Sequence, residues 1–182
     1  MNFHETKLRG AFVIEPQKID DERGFFARNW SQREFAAYGL DASFVESNAS
    51  RSLKKGTLRG MHFQAPPHAQ VKLVRCTQGA IYDVIIDLRA GSPTFKNWVA
   101  AELTAANGRL LYVPQGFAHG FQTLVPDTEV FYLVSAYYAP ESAGGVRWND
   151  PAFAIQWPED SRTIIERDRN YPDFDPAALA IH

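Results

Sequence analysis

Along the middle of the chain, short apolar runs alternate with Gly and Pro punctuation, the spacing of many short strands rather than of long helices. The pattern predicts strands over 70–76, 79–88, 98–103, 110–113 and 129–138. Turns fall between them at Gln78-Gly79, Gly91-Ser92-Pro93, Asn107-Gly108 and Pro114-Gln115-Gly116. Within Ile81-Tyr82-Asp83-Val84-Ile85-Ile86-Asp87 the two aspartates stand at even separation, so both lie on one strand face. Carboxylates on one face of an otherwise apolar strand predict a barrel whose interior holds polar groups in need of partners. The class that follows is all-β.

One helix has a mechanism of its own. Ser31-Gln32-Arg33-Glu34 reads as a capping box, with Ser31 as N-cap and Glu34 reaching back to it, and Gly39 ends the helix in a left-handed conformation. From Pro158 onward the chain turns to charges, two further prolines and a short Ala-rich end, which predicts a segment that wraps the barrel or caps it with a small helix. Neither a repeat nor a linker interrupts the chain. At 182 residues and 45% hydrophobic content, 1–182 reads as a single domain with one core.

Composition narrows the possible partners. Nineteen basic and 21 acidic residues leave a formal charge of −2, which argues against nucleic acid or an anionic membrane held by bulk charge. An anionic ligand therefore needs a local basic cluster. The single Cys76 excludes an intramolecular disulfide and suits a reducing compartment. Met1 to Gly10 mixes His4, Glu5, Lys7 and Arg9 with few apolar residues, so it reads as neither a signal peptide nor an anchor, and no later stretch is apolar enough to span a bilayer. A cytoplasmic protein is expected.

Reactive groups concentrate in three segments: Leu58-Arg59-Gly60-Met61-His62-Phe63-Gln64, Gln70-Val71-Lys72-Leu73-Val74, and Gly116-Phe117-Ala118-His119-Gly120-Phe121. Each histidine alone reads as a hydrogen-bonded structural residue. A barrel can bring all three segments together, and their company points to a site.

These segments, with Asp21-Glu22-Arg23-Gly24-Phe25-Phe26, Phe44-Val45 followed by Asn48 and Ser50, Tyr137-Tyr138-Ala139-Pro140-Glu141, Arg147-Trp148 with Asp150-Pro151, and Trp157-Pro158, occur in the order found in a known family. The chain resembles the dTDP-4-dehydrorhamnose 3,5-epimerases over nearly its whole length. The resemblance implies a cupin-type jelly-roll β-barrel with a few short peripheral helices, usually a homodimer. It implies a nucleotide-diphosphate sugar as substrate, no cofactor and no metal, and a place in the synthesis of envelope polysaccharides.

The implied chemistry is coherent. A C4 ketone acidifies the hydrogens on its neighbouring carbons, so epimerisation needs a base on one face, an oxyanion stabiliser and an acid on the other face. By resemblance His62 is the base and Asp168 the carboxylate that orients its imidazole, although Asp168 also reads as a surface charge in a solvated tail. Lys72 matches the lysine beside the keto oxygen, where a fixed charge stabilises an enolate. Tyr132 matches the acid on the opposite face; its alternative is an aromatic that only packs. His119 is carried over as a pocket residue near the sugar and Asn48 as a substrate contact. Arg23 and Arg59 match arginines that hold the pyrophosphate with a planar fork of donors.

Three positions depart from the family pattern. Arg28 stands where a Glu is usual, Glu46 where a Gln is usual, and Leu133 where a Lys commonly follows the tyrosine. Thymine offers a donor at N3 and an acceptor at O4; cytosine inverts both, and an Arg with a Glu suits cytosine. This pair predicts a CDP carrier, and with it a 4-dehydro-3,6-dideoxy sugar inverted at C5 alone. A salt bridge between Arg28 and Glu46 beside an unchanged dTDP site is the alternative. Leu133 is expected to alter the charge of the pocket.

Rival classes remain. A metal-dependent cupin oxygenase or isomerase would draw on His62, His68 and His119, but Gln64 occupies the place where such cupins carry a second histidine. A relative that isomerises the ketone shares the same enolate. A non-catalytic sugar-nucleotide-binding barrel would be expected to have lost the base, the lysine or the tyrosine, and all three are present.

Overall fold

The computed structural model describes residues 1–160 and 162–178. Its elements follow in chain order as β1 (Asn2–Glu5), β2 (Phe12–Glu15), β3 (Lys18–Asp21), β4 (Gly24–Ala27), α1 (Gln32–Ala37), β5 (Glu46–Ser52), β6 (Leu58–Gln64), β7 (Lys72–Gln78), β8 (Ala80–Asp87), β9 (Trp98–Thr104), β10 (Leu110–Val113), β11 (Phe117–Thr123), β12 (Thr128–Val134), β13 (Ala143–Gly145) and α2 (Glu166–Arg169). Six strands form one sheet in the order β1-β2-β10-β7-β12-β5, five form a second in the order β13-β6-β11-β8-β9, and β3-β4 is a separate hairpin. Neighbours pair antiparallel throughout. This is the all-β, cupin-like jelly roll expected from the strand pattern and the resemblance.

Alternation along the strands decides which residues enter the barrel. Val74, Cys76 and Val130 of the first sheet meet Ile81, Ile85, Phe117 and Phe121 of the second in a buried interior cluster. The outer face of the five-stranded sheet is covered by Phe153, Ile155 and Trp157 of the C-terminal segment. The outer face of the six-stranded sheet is covered by Phe35 of α1 and by Ala42. Among the described residues no helix is long and apolar enough to cross a membrane.

Strand limits differ from the expectations where side chains replace the ladder. β7 begins at Lys72 because the Val71 N–H donates to Ser135 Oγ and Gln70 Nε2 donates to the Ala136 carbonyl. β12 ends at Val134, and the next stretch is held instead by Gln64, whose amide donates to the Tyr137 carbonyl and accepts from the Ala139 N–H. The capping box is half formed. Ser31 Oγ accepts from Glu34 N, but the Glu34 carboxylate turns to the Met1 ammonium at 3.0 Å and to Arg28 at 3.3 Å. Charged donors there outcompete a neutral backbone N–H. Gly39 has φ +69 and closes the helix as expected. The tail wraps back onto the barrel, where Thr163 bridges Thr57 and α2 packs on β6; the end beyond residue 178 lies outside the described residues.

Candidate active site

β6 and β11 run side by side in the five-stranded sheet, with His62 and His119 as direct partners across the ladder. Opposed residues of an antiparallel pair share a face, so both imidazoles enter the barrel. Just beyond them the register shifts, and Gly60 meets Gly120 so closely that a Cβ on Gly60 would lie 2.5 Å from the Gly120 Cα. Gly60 also has φ +133, a conformation that side chains disfavour. The irregularity directs the Gly60 N–H to Asp168 Oδ2 at 3.1 Å, which ties α2 across the mouth of the barrel. The Arg59-Gly60-Met61-His62 segment thus has a mechanical reason for its glycine.

Asp168 is 1% exposed, far from the solvated tail charge that its sequence position allowed. Its Oδ1 lies 2.8 Å from His62 Nε2 and also accepts from Arg167 Nε at 3.2 Å. Burial alone would raise this carboxyl, but the hydrogen bonds from His62, Gly60 and Arg167 outweigh it and hold Asp168 below its ordinary value. An ionised Asp168 accepts only, so His62 donates through Nε2–H and keeps the Nδ1 lone pair for the cavity. Burial of the imidazole pushes His62 below the usual histidine value, against the pull of Asp168, with Lys72 and Arg167 adding in the same direction as burial. At neutral pH the ring is therefore neutral and able to take a proton.

Tyr132 and Lys72 reach the same space from the six-stranded sheet, on β12 and β7. The Lys72 ammonium donates to the His62 carbonyl at 3.3 Å. Burial pushes it down to about 8, opposed by the Asp83 anion. Burial also raises the Tyr132 phenol, with Arg59 opposing and Glu46 reinforcing, which keeps the phenol protonated as a donor requires. His119, nearly buried, donates through Nε2 to Asp83 Oδ1 at 2.7 Å.

The cavity has two lobes, of about 560 and 490 Å³, that share His62, Lys72, Tyr132 and Arg167. Together they are of a size to hold a small-molecule ligand. One lobe is rimmed by Arg51, Lys54, Arg59 and Arg167, a local basic cluster on a chain of net negative charge. The other presents Glu46, Asn48, Gln70, Tyr138 and Tyr171, groups that hydrogen-bond or stack. Of the residues singled out from sequence, His62, Lys72, Tyr132, Asp168, Arg59, His119, Glu46 and Asn48 line this cavity.

Arg23 and Arg28 line neither lobe. They lie on and just after the β3-β4 hairpin, where the Arg23 side chain is 84% exposed and pairs with Asp21, and Arg28 pairs with Glu34 beside α1. The Arg28–Glu46 salt bridge left open by the sequence is therefore replaced by one to Glu34, and no cytosine-reading pair is assembled within the chain. Leu133 does not change the charge of the pocket: it alternates with Tyr132, faces outward and packs near Leu73 and Phe35. His68 lies apart, with Nδ1 at 3.0 Å from Ser142 Oγ, and among the described residues no three His, Cys, Asp or Glu side chains are grouped to hold a metal ion. Sequence reasoning missed Arg167 and Tyr171. Arg167 is the direct chain neighbour of Asp168; Tyr171 carried no signal.

The model of the dTDP-4-dehydrorhamnose 3,5-epimerase family matches residues 5–176. The enzyme of that name from Salmonella typhimurium is 46% identical over 177 residues, spanning 96% of each chain. In three dimensions the chain superimposes on the dTDP-4-dehydrorhamnose 3,5-epimerase of Bacillus anthracis, solved with TDP and PPi bound, at TM-score 0.92 and 47% identity, covering 95% of this chain and 99% of that one. It superimposes equally, at TM-score 0.92 and 36% identity, on the dTDP-6-deoxy-D-glucose-3,5-epimerase of Legionella pneumophila in complex with dTDP-4-keto-L-rhamnose, covering 100% of this chain and 98% of that one. Motif order, fold and a full-length family match therefore agree, and the chain belongs to the dTDP-4-dehydrorhamnose 3,5-epimerase family.

Proposed function

We propose that this protein converts dTDP-4-dehydro-6-deoxy-D-glucose into dTDP-4-dehydro-L-rhamnose by inverting C3 and C5. The observation that carries the reading is the opposition of His62 and Tyr132, which enter one cavity from different sheets. His62 Nδ1 removes the proton next to the C4 ketone, and the electron pair of the C–H bond passes to the C4 oxygen as an enolate. Lys72 stabilises that oxygen. Tyr132 then delivers a proton to the opposite face, inverting the carbon, and the proton held by His62 returns to Tyr132 through solvent. The basic lobe suits the diphosphate and the Glu46–Asn48 lobe suits the base.

A homodimer in the cytoplasm fits the rest of the surface. Ile19, Phe25 and Phe26 of the β3-β4 hairpin are 64%, 59% and 63% exposed, an unusual display of apolar groups beside Arg23. A second copy of the chain would cover them and would let Arg23 reach a diphosphate that it does not approach in its own chain.

Turnover of the 4-keto sugar in D2O, followed by NMR, tests the reaction. Deuterium at both C3 and C5 with inversion is expected; incorporation at C5 alone would reduce the enzyme to a mono-epimerase, and none at all would refute the reading. Calorimetric titration with dTDP and CDP in parallel tests the carrier: dTDP is expected to bind more tightly, and tighter CDP binding would move the substrate to a cytidine-linked dideoxy sugar.

A further inference from the structure

β8 carries two aspartates on its inner face, and they are treated differently by the fold. Asp87 is fully buried and fully partnered: Arg89 donates to it through the backbone N–H, Nε and Nη2, and Ser92 and Thr94 add their hydroxyls at 2.5 and 2.7 Å. Asp83, four residues earlier, is also fully buried, yet only Oδ1 is used, by His119 at 2.7 Å, and Oδ2 has no hydrogen-bond partner. Its strand neighbours on that face are Ile81 and Ile85, and Phe121 stands opposite it. An anionic oxygen left open among apolar groups is costly unless nearby positive charge supports it.

The supporting charge is at the cavity. Lys72 feels Asp83 as the influence that opposes its burial, and His119 bonds Asp83 directly while lining the cavity. From the five-stranded sheet, the titratable and charged groups around Lys72 are His62, Arg59, Asp83 and His119. From the six-stranded sheet they are Cys76, Tyr132 and Glu46, and from the tail Arg167 and Asp168. Asp168 is already satisfied by His62, Gly60 and Arg167. Asp83 alone among these anions is both wholly buried and half unpartnered.

We infer that Asp83 is a positioning residue of the epimerisation: it fixes the His119 ring by accepting its Nε2–H and supplies the buried carboxylate near Lys72, so that the Lys72 ammonium meets the C4 oxygen as it becomes an enolate. Asp83 itself does not touch the substrate. The inference deepens the epimerase reading and rests on it for the identity of that oxygen.

The Asp83→Asn enzyme, assayed on the 4-keto sugar, provides the test, with Asp87→Asn beside it. In Asp83→Asn, kcat is expected to fall roughly 10- to 100-fold while KM and calorimetric dTDP affinity hold. The alkaline limb of its kcat–pH profile should move to lower pH, because Lys72 has lost the anion that kept its proton. Asp87→Asn should lower the melting temperature and leave the profile in place. An Asp83→Asn protein with wild-type kcat per folded molecule and an unmoved alkaline limb would overturn the inference, whatever its melting temperature. Should the variant fail to fold, 15N NMR of the wild-type protein decides: a His119 ring protonated at Nε2 is expected, and a bare Nε2 overturns the assignment. Absence of turnover in the wild-type enzyme would instead refute the epimerase reading, and the nitrogen spectrum would still judge Asp83.

Discussion

The barrel cavity and the β3-β4 hairpin hold the two kinds of residue that the sequence marked for function, and the fold handles them in opposite ways. In the cavity, His62, Asp168, His119 and Asp83 are buried or half-buried and committed to one another at 2.7–2.8 Å. On the hairpin, Arg23 is solvated and its ion pair is with Asp21, two residues before it on the same hairpin. The groups of the proposed proton transfers are thus assembled within one chain, at fixed distances and largely out of solvent. The residues proposed to grip the diphosphate and base are only partly assembled there. Changes in the cavity should therefore act on kcat, and changes on the hairpin on binding and on assembly.

Removal of the proposed base is the hardest test of that division. His62→Ala should lower kcat by about 10³-fold or more, with calorimetric affinity for dTDP unchanged; retained activity would sink the mechanism. Tyr132→Phe should reduce epimer formation by about 10²-fold but leave proton abstraction in place. Substrate recovered from D2O would then carry deuterium without inversion, returned by His62 on the original face. If both variants lost nucleotide affinity to the same extent as turnover, cavity and hairpin would no longer separate.

Arg23→Ala should do the reverse. KM for the nucleotide sugar is expected to rise about 10-fold, or ~1.4 kcal/mol, with kcat kept. Sedimentation of the wild-type chain should give a dimer, and an added charge at Phe26 should dissociate it and raise KM as the Arg23 variant does. A monomeric wild type with full affinity would return the hairpin to an ordinary surface element.

The pH profile follows from the cavity alone. His62 must be neutral to accept a proton, and burial holds it below the usual histidine value, so activity should appear as pH rises through that depressed range. Lys72 must be charged, and it stands at about 8, so activity should fall as pH rises through 8. Tyr132, raised by burial, stays protonated across this window. An alkaline limb near the ordinary lysine range would show Lys72 to be solvated or spectator.

The same division explains what was legible in the sequence. β10 is read in full because Leu110-Leu111-Tyr112-Val113 is a continuous apolar run, buried throughout. The carboxylates of β8 announced a polar interior through their even spacing alone. Eight strands, β1 to β6, β11 and β13, lie outside the predicted runs; β5, Glu46-Ser47-Asn48-Ala49-Ser50-Arg51-Ser52, lines the cavity and carries no apolar alternation. The pairing of Asp168 with His62 was legible only through resemblance: 106 residues separate the two, and a loop closure of that length leaves no local pattern. Leu133 alternates with Tyr132 along β12, so a Tyr132 that enters the cavity places Leu133 on the outer face, away from the pocket whose charge it was expected to alter.

The smallest expected effect lies in the lobe that Glu46 and Asn48 line. Glu46 shares a lobe with Asn48 and Tyr132 and contributes to holding the Tyr132 phenol up. An anion at that place offers only acceptors, whereas a glutamine offers a donor as well. Thymine presents both a donor and an acceptor along its edge. Glu46→Gln should therefore tighten dTDP by about 3-fold, a gain of ~0.65 kcal/mol, weaken CDP by a comparable factor, and leave kcat within that range because Tyr132 remains protonated either way. Parallel calorimetry with the two nucleotides measures it directly. A loss of dTDP affinity in the glutamine variant would show that the carboxylate itself reads the base, which would return cytosine to the site even though Arg28 stands with Glu34.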